Sequence, residues 1–238
     1  MKALILAAGL GTRLGSYTAD RPKALVELNG VTLLERAIRK VTELGVSEVI
    51  VNIHHFGDQI IEFLNRNKNF NLPIQISDER NQLLDTGGAI LKARTMLGEK
   101  EPFLVYNVDI LSSMYLEDLL DYHAQKGGIA TMAVRERKTD RYLVFDQMMQ
   151  LSGWRNIKTG EEKLARRDQD GLQNLAFSGI QIVQPEIFQL ITETGKFSVI
   201  QLYLRLAKSQ AIYGYRDSSE LWMDLGKPDQ LSEAERLM

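Results

Sequence analysis

The sequence contains no cysteine among its 238 residues. Disulfide bridges, thiolate metal sites, iron–sulfur clusters and cysteine nucleophiles are therefore excluded as a basis for structure or function. The lack of cysteine is compatible with a reducing compartment, and we expect a cytoplasmic protein. Proline is also scarce, at five residues. No linker, internal repeat or low-complexity tract divides the chain, so we expect a single domain over residues 1–238.

Long apolar runs are missing as well. The apolar stretch after Lys2 is interrupted by glycines and by Arg13, which leaves it too short for a signal peptide or a membrane span. Neither sign of charge dominates, because 29 Lys and Arg stand against 31 Asp and Glu. The resulting net charge of -2 gives no electrostatic reason to expect nucleic acid or an anionic membrane as a partner.

Short apolar runs alternate with amphipathic stretches along the first half of the chain. The pattern predicts strands at 3–7, 49–52, 74–77, 103–106 and 129–134, and helices at 32–44, 58–65, 88–97 and 115–125. This β–α alternation predicts an α/β fold, a Rossmann-like three-layer sandwich with a mostly parallel mixed sheet.

The second half of the sequence is less regular. It predicts a hairpin over 141–146 and 149–154, an exposed polar excursion over 155–171, a strand at 175–183, helices near 185–191 and 199–208, an apolar run at 221–225 and a final helix at 227–237. One domain with inserted substrate-binding elements is the simplest interpretation.

A glycine-rich segment follows the first predicted strand directly. Residues 6–14 read LAAGLGTRL, and Gly9 and Gly11 allow backbone N–H groups to approach phosphate oxygens. Arg13 adds a permanently charged, planar donor. Leu14 stands where the dinucleotide fingerprint needs a third glycine, and a Walker loop is also absent. On spacing alone, a glycine-rich turn that binds nothing is an equally good interpretation.

The segment that follows decides between these interpretations. Residues 21–26 read RPKALV, and Lys23 can return a second cation to the same pocket. Gly-x-Gly-Thr-Arg followed by Pro-Lys-Ala-Leu-Val closely resembles the signature of the sugar-phosphate nucleotidyltransferases. Four later segments agree with that family in order and spacing: LDTGGAI at 84–90, NVD at 107–109, FSGI at 177–180 and WMDLG at 222–226.

Within that family, the chain is most similar to the N-acetylmuramic acid 1-phosphate uridylyltransferases. Mannose-1-phosphate guanylyltransferases and phosphocholine cytidylyltransferases share much of the pattern. The resemblance implies an enzyme that joins a nucleoside triphosphate to a sugar 1-phosphate and releases pyrophosphate. Uridine triphosphate and N-acetylmuramic acid 1-phosphate are the implied substrates, and the implied assembly is a monomer or small homo-oligomer.

The resemblance also implies roles for particular residues. Arg13 and Lys23 are the expected catalytic cations, and Asp109 and Asp224 jointly hold Mg²⁺. Gly179 is expected on the sugar side, within sugar-binding elements at roughly 135–225. Nucleotide contacts are expected from Ala8, Gly9, Gly11, Thr12, Glu79, Gly87, Gly88 and Asn107.

Three features depart from the family pattern. Val108 stands where the family usually has glycine, and Ser16 where many members have proline. The Glu-Lys sugar motif of the thymidylyl-transferring branch has no match, since Glu162-Lys163 lies in the polar excursion. A basic cluster in that excursion, Lys163, Arg166 and Arg167, offers cations for an acidic sugar substituent.

Other interpretations stay open at this point. A glycosyltransferase would share the fold, although residues 107–109 contain only one aspartate of the usual Asp-x-Asp motif. A nucleotide-binding regulator without catalysis is a second alternative. At the residue level, Asp109 could cap a helix, and Gly87 and Gly88 could serve only a tight helix entry.

Overall fold

The computed structural model describes residues 1–166 and 171–237. The strands of these residues are β1 (Lys2–Leu6), β2 (Glu27–Leu28), β3 (Val31–Thr32), β4 (Glu48–Ile53), β5 (Ile74–Asp78), β6 (Phe103–Asn107), β7 (Ile110–Ser112), β8 (Ala130–Arg135), β9 (Arg141–Phe145), β10 (Leu151–Asn156), β11 (Glu162–Leu164), β12 (Gln173–Val183), β13 (Ile212–Arg216) and β14 (Trp222–Asp224). The helices are α1 (Leu33–Thr42), α2 (Gly57–Arg66), α3 (Asp85–Lys92), α4 (Arg94–Leu97), α5 (Leu116–Lys126), α6 (Ile187–Leu190), α7 (Val199–Leu206) and α8 (Pro228–Leu237).

One mixed sheet of ten strands runs through both halves of the chain. On one side β1 pairs in parallel with β4 and β6, and β4 pairs in parallel with β5. The long strand β12 then pairs antiparallel with β6, β8 and β9, and β13 joins β8 in parallel. The hairpin β9–β10 and the edge strand β11 complete the sheet. The predicted fold class is confirmed.

Helices cover both faces of the sheet because successive strand residues point to opposite sides. Ala3 and Ile5 of β1 belong to one buried cluster, which also contains the apolar residues of α1. Leu4 belongs to a second cluster, which contains those of α7. The sheet therefore separates two cores, as a three-layer sandwich requires.

The local sequence explains where the first helix begins and ends. The Thr32 side chain accepts a hydrogen bond from the Glu35 N–H at 3.1 Å, which caps the first turn of α1. Its buried face contains Leu33, Leu34, Ala37, Ile38 and Val41. Gly45, at φ 65°, lies in the left-handed conformation typical of a helix stop. The predicted helix over 32–44 is confirmed, shorter by the capping residues.

Several predicted elements differ in detail from the structure. The predicted helix 88–97 begins earlier, at Asp85, and is split into α3 and α4 at Ala93. The polar stretch 155–171, which the sequence predicts only as an exposed excursion, contains the exposed strand β11. The sequence prediction missed β13, whose residues 212–216 alternate with glycine and tyrosine instead of forming an apolar run. Among the described residues, no helix is long and apolar enough to cross a membrane.

Candidate active site

Two adjoining clefts open at the carboxyl ends of the parallel strands, where ligands bind in open α/β sheets. The first measures about 330 Å³ and the second about 640 Å³. Asp85, Thr86 and Asn107 line both clefts, so the two share a wall. The first cleft is also lined by Leu6, Ala8, Gly9, Lys23, Asn52, Glu79, Leu83, Val108, Asp109 and Lys196. Six of the residues predicted from the sequence thus meet here: Ala8, Gly9, Lys23, Glu79, Asn107 and Asp109.

A buried asparagine holds the start of the glycine-rich loop. Asn52 of β4 accepts hydrogen bonds through Oδ1 from the N–H groups of Ala7 at 2.6 Å and Ala8 at 3.1 Å. Its amide donates to Glu79 Oε1 at 2.8 Å, and Glu79 Oε2 accepts the N–H of Leu84 at 3.1 Å. Both carboxylate oxygens of Glu79 are therefore bonded within the protein. These bonds support a role for Glu79 in positioning two loops, in addition to its predicted contact with a nucleobase.

Further along the glycine-rich loop, the chain turns so that Arg13 lies at the surface. Gly11 adopts φ 66°, and a side chain there would approach Thr18 Cγ2 to 2.8 Å, so glycine is required at this turn. Thr12 and Arg13 follow in exposed positions. The predicted loop residues are thus divided between the cleft wall, at Ala8 and Gly9, and its rim, at Thr12 and Arg13.

Lys23 and Asp109 form an ion pair inside the first cleft. The side chains are only 8% and 18% exposed, so water screens the pair less than it would on the surface. Asp109 follows β6 and is succeeded by β7, not by a helix. The alternative that Asp109 caps a helix is therefore wrong, because the next helix begins at Leu116.

Asp224 lies beside Asp109 because β14 and β7 pair antiparallel, with Asp224 opposite Ile110. The N–H of Leu225 donates to the Asp109 carbonyl at 2.8 Å, which fixes the two segments against each other. Burial raises the pKa of Asp224, and the neighbouring Asp109 carboxylate raises it further, while Lys23 and Arg13 act in the opposite direction. Two carboxylates and two cations from distant parts of the chain thus form one charged group.

Comparison with known proteins agrees with this geometry. The family described as nucleotidyl transferase matches residues 2–238. The chain belongs to this family. It is 34% identical over 240 residues to the N-acetylmuramate alpha-1-phosphate uridylyltransferase of Caulobacter vibrioides, covering 98% of this chain and 95% of that protein. It is 29% identical over 233 residues to mannose-1-phosphate guanylyltransferase 1 of Arabidopsis thaliana, covering 96% of this chain and 62% of that protein.

A solved structure supports the same fold. HddC from Yersinia pseudotuberculosis has a TM-score of 0.78 and 24% identity to this chain, covering 99% of this chain and 98% of HddC. The family resemblance inferred from the motifs is therefore confirmed. The predicted enzyme class, a sugar-1-phosphate nucleotidyltransferase, is confirmed at that level.

The carboxylates of this nucleotidyltransferase fit a hard divalent cation. Mg²⁺ normally takes one or two protein carboxylates and completes its coordination with phosphate and water. Burial first, and the neighbouring Asp109 carboxylate second, raise the pKa of Asp224, and a cation shared by the two carboxylates would favour their charged forms. No group of three or more His, Cys, Asp or Glu residues suited to a metal occurs in the part of the chain that the structure describes. The donor set therefore suits a metal shared with substrate phosphates.

Gly87 and Gly88 make a close contact with another segment of the chain. Both N–H groups donate to the Phe197 carbonyl, at 2.9 and 3.3 Å. A Cβ at Gly87 would lie 2.4 Å from the Phe197 ring, and one at Gly88 would lie 2.4 Å from the Gly195 carbonyl oxygen. The close approach that requires glycine is thus made by residues 195–197. Neither glycine is among the residues that line the two clefts, and their contact with a nucleobase stays a prediction.

Gly179 of β12, which is expected on the sugar side, packs closely against Asn107, which is expected to contact the nucleotide. Gly179 has φ 80°, and a Cβ there would lie 3.1 Å from Asn107 Nδ2 and 2.7 Å from Ile110 Cγ1. Glycine is therefore needed for β12 to pass close to the end of β6. Val108, which replaces the family's usual glycine, is buried and is not among the residues with positive φ. Its backbone does not require glycine, and the substitution leaves the turn intact.

The sequence prediction did not include two arginines and a tryptophan that line the second cleft. Arg137, Arg141 and Trp154 line it, together with Phe177 and Lys163. The available signal was residues 135–141, RERKTDR, where Arg135 ends a buried strand and Arg137 and Arg141 follow it. Asn52 was also missed, because one asparagine at the end of an apolar strand has no distinctive sequence pattern. Of the basic cluster in the polar excursion, Lys163 lines the cleft, Arg166 pairs with Asp146 at 3.4 Å, and Arg167 lies outside the described residues.

Proposed function

We propose that this chain is a Mg²⁺-dependent uridylyltransferase that joins UTP to N-acetylmuramic acid 1-phosphate and releases pyrophosphate. The observation that carries the proposal is the group formed by Arg13, Lys23, Asp109 and Asp224, of which Lys23 and Asp109 line the first of two adjoining clefts. One cleft suits the nucleotide and the other suits the sugar. The choice of base and sugar is supported by the uridylyltransferase relative, which matches nearly the full length of both chains.

The reaction requires positioning and charge neutralisation more than acid–base chemistry. An oxygen of the sugar phosphate forms a bond to the α-phosphorus of UTP, and the bond from that phosphorus to the β-phosphate oxygen breaks. The electron pair leaves with pyrophosphate, and no proton transfer is needed because the attacking phosphate is already ionised. Asp109 and Asp224 would hold Mg²⁺, which when bound supplies neutralisation and alignment of the phosphates.

The cations of the chain act on the same phosphates. Lys23 lies in the first cleft and stabilises charge around the α-phosphate, while its ion pair with Asp109 keeps the ammonium in place. Arg13, exposed at the rim, reaches the outer phosphates and the departing pyrophosphate. Backbone N–H groups of Gly9, Gly11 and Thr12 surround the triphosphate in the manner of a phosphate-binding loop.

The second cleft favours a sugar that carries its own negative charge. Arg141 and Lys163 line it. Two acidic residues, Asp85 and Glu161, also line it, and Glu161 pairs with Lys163 at 3.1 Å. Trp154 offers an apolar face beside these cations, with Lys163 Nζ 5.6 Å from its ring centroid. The lactyl carboxylate of N-acetylmuramic acid fits this combination better than the neutral ring of mannose does.

The test is pyrophosphate release with Mg²⁺ across a matrix of triphosphates and 1-phosphates. The triphosphates are UTP, GTP, CTP and dTTP, and the phosphates are those of N-acetylmuramic acid, N-acetylglucosamine, mannose, glucose and choline. We expect release to be fastest with UTP and N-acetylmuramic acid 1-phosphate. N-acetylglucosamine 1-phosphate is the matched control, because it lacks only the lactyl group.

Variants connect the activity to the site. Asp109→Asn should lower kcat by about 100-fold or more, since the ligand charge is lost while the shape is kept. Asp121→Asn on the exposed face of α5 is the control and should not change the rate. Release at normal rates from Asp109→Asn would contradict the metal role. A preference for GTP with mannose 1-phosphate would contradict the substrates, and silence of the wild-type protein with every pair would favour a nucleotide-binding regulator.

A further inference from the structure

Arg137 lies between the second cleft and the charged group of the first. It follows β8 and lines the second cleft together with Asn107, which also lines the first. Burial lowers the pKa of Arg137, and the Asp224 carboxylate is near enough to raise it again. The guanidinium is therefore a partly buried cation close to the place where the two substrates must meet.

The surroundings hold this guanidinium in place but leave donor capacity unused. The Nη2 group of Arg137 donates to the Phe177 carbonyl at 3.1 Å. The Cζ atom of Arg137 lies 4.4 Å from the Trp222 ring centroid. Trp222 is itself held by a hydrogen bond from Nε1 to the Ser178 carbonyl at 2.9 Å. Nε of Arg137 is buried and has no hydrogen-bond partner among the described residues. A buried, charged donor without a partner is costly. The Nη1 group also makes no hydrogen bond among the described residues and is not one of the shielded atoms, so its donors are available to an anion in the cleft.

A second arginine at the same tryptophan shows what a purely structural role looks like. Arg135 lies 5.7 Å from the Trp222 ring centroid. Its Nη1 pairs with Asp217 at 3.3 Å, and its Nη2 donates to the Ser219 carbonyl at 3.0 Å. The charge of Arg135 is thus balanced within the protein, whereas no ion pair of Arg137 occurs among the described residues. The contrast indicates that Arg137 is kept for a ligand.

We propose that Arg137 binds the phosphate of the incoming sugar 1-phosphate and holds its attacking oxygen toward the nucleotide cleft. This inference rests on the proposed function, because it assigns a residue to one substrate of that reaction. Two phosphates of like charge must come together in the reaction, and a guanidinium on the sugar side lowers that repulsion. Its planar fork can take two oxygens of one phosphate, which fixes the direction of the third.

Steady-state kinetics of three variants test the assignment. Arg137→Met keeps a long apolar side chain against Trp222 but removes the charge, and Arg137→Lys keeps the charge without the fork. Arg135→Lys is the matched control at the same ring. We expect Arg137→Met to raise KM for the sugar 1-phosphate about 10- to 100-fold with KM for UTP changed less than twofold. Arg137→Lys should have an intermediate effect, and Arg135→Lys should change neither KM.

Calorimetry provides a readout that does not depend on turnover. Wild type and Arg137→Met are titrated with N-acetylmuramic acid 1-phosphate and with N-acetylmuramic acid, which lacks the phosphate. We expect the variant to weaken binding of the phosphorylated sugar about 10-fold or more and to leave the other titration unchanged. Thermal unfolding of each variant verifies that the fold is intact.

The outcomes separate this inference from the proposed function. Equal weakening of both sugars, no weakening of either, or equal effects of the Arg135 and Arg137 variants would overturn the role of Arg137 in phosphate binding. A rise in KM for UTP instead of the sugar phosphate would also overturn it. Absence of turnover by the wild-type enzyme would contradict the proposed function, while the calorimetric comparison would still decide the role of Arg137.

Discussion

At position 226 the absence of a side chain leaves room for two charged groups, those of Arg13 and Asp224. An added Cβ would lie 2.6 Å from Arg13 Nη2 and 2.7 Å from Asp224 Oδ1. The Gly226 N–H also donates to Asp224 Oδ1 at 2.9 Å, which sets the direction of the carboxylate. Gly226 is not among the glycines with positive φ, so its importance lies in space and not in backbone conformation.

Gly226→Ala should therefore impair catalysis more than folding. The methyl group displaces the flexible end of Arg13 and shifts the Asp224 carboxylate, and small displacements of catalytic groups are costly. We expect kcat/KM to fall about 10-fold or more, measured by pyrophosphate release. The free energy of unfolding in urea should change by less than about 1 kcal/mol. Normal activity with a large loss of stability would show that position 226 has a packing role only.

At the scale of elements, α3 is placed by its contact with the segment before α7. The N–H groups of Gly87 and Gly88 donate to Phe197, the Phe197 N–H donates to the Leu84 carbonyl at 3.1 Å, and Val199 N–H donates to Thr86 Oγ1 at 3.0 Å. This contact positions Asp85 and Thr86, which line both clefts. The geometry of the site therefore depends on the packing of two helices from different halves of the chain.

Gly88→Ala tests this packing against helix propensity. Alanine in a helix normally stabilises by about 0.5–1 kcal/mol relative to glycine. Here the methyl would lie 2.4 Å from the Gly195 carbonyl oxygen, and overpacking of this kind costs about 1–3 kcal/mol. We expect net destabilisation of about 1–2 kcal/mol in urea unfolding.

Ser232→Ala on the exposed side of α8 is the control for that measurement. It also places alanine in a helix, but without a neighbouring backbone to displace, so stability should change by less than about 0.5 kcal/mol. A stabilising effect of Gly88→Ala would mean that residues 195–197 can move away from α3 without cost.

At the scale of the whole molecule, a buried histidine makes folding sensitive to acid. His123 is 1% exposed, and burial lowers its pKa to about 4. Thr131 Oγ1 contacts Nδ1 at 2.8 Å, and Gln184 Nε2 contacts Nε2 at 3.0 Å. A neutral ring that donates to Thr131 and accepts from Gln184 satisfies both contacts, whereas a protonated ring has no acceptor site.

Stability should therefore fall as the pH falls below the unfolded-state pKa of about 6.5. The unfolded chain takes up a proton there while the folded chain does not, so the unfolded state is favoured down to the folded pKa of about 4. We expect His123 to lower the free energy of unfolding by about 2 kcal/mol between pH 7 and pH 5. Urea unfolding at pH 7, 6 and 5 measures it.

His123→Gln provides the comparison, since glutamine does not titrate. Between pH 7 and pH 5, the free energy of unfolding of this variant should fall by about 2 kcal/mol less than that of the wild type. The carboxylate of Glu193, whose pKa is lowered to about 2 by Arg205, loses its stabilising charge only at lower pH and does not interfere. Equal pH slopes for the two proteins would contradict the assignment.

The sequence by itself determined the family, the fold class and the order of most elements. Apolar periodicity identified β1, β4, β5 and β6 because buried strands need continuous apolar residues. Glycine, proline and charged residues in short motifs singled out the glycine-rich loop, Lys23 and Asp109, since contact with phosphates and a metal would restrict which residue types can stand there.

Only the tertiary structure decided which groups meet. Asn52 and Glu79 hold the phosphate loop, Gly88 serves residues 195–197, and Arg137 differs from Arg135 only in what surrounds it. None of these relations has a local pattern, because they join residues far apart in the chain. Hydrogen bonding and ion pairing depend on distances of a few ångströms, and those distances are set by the packing of the whole sheet and its helices.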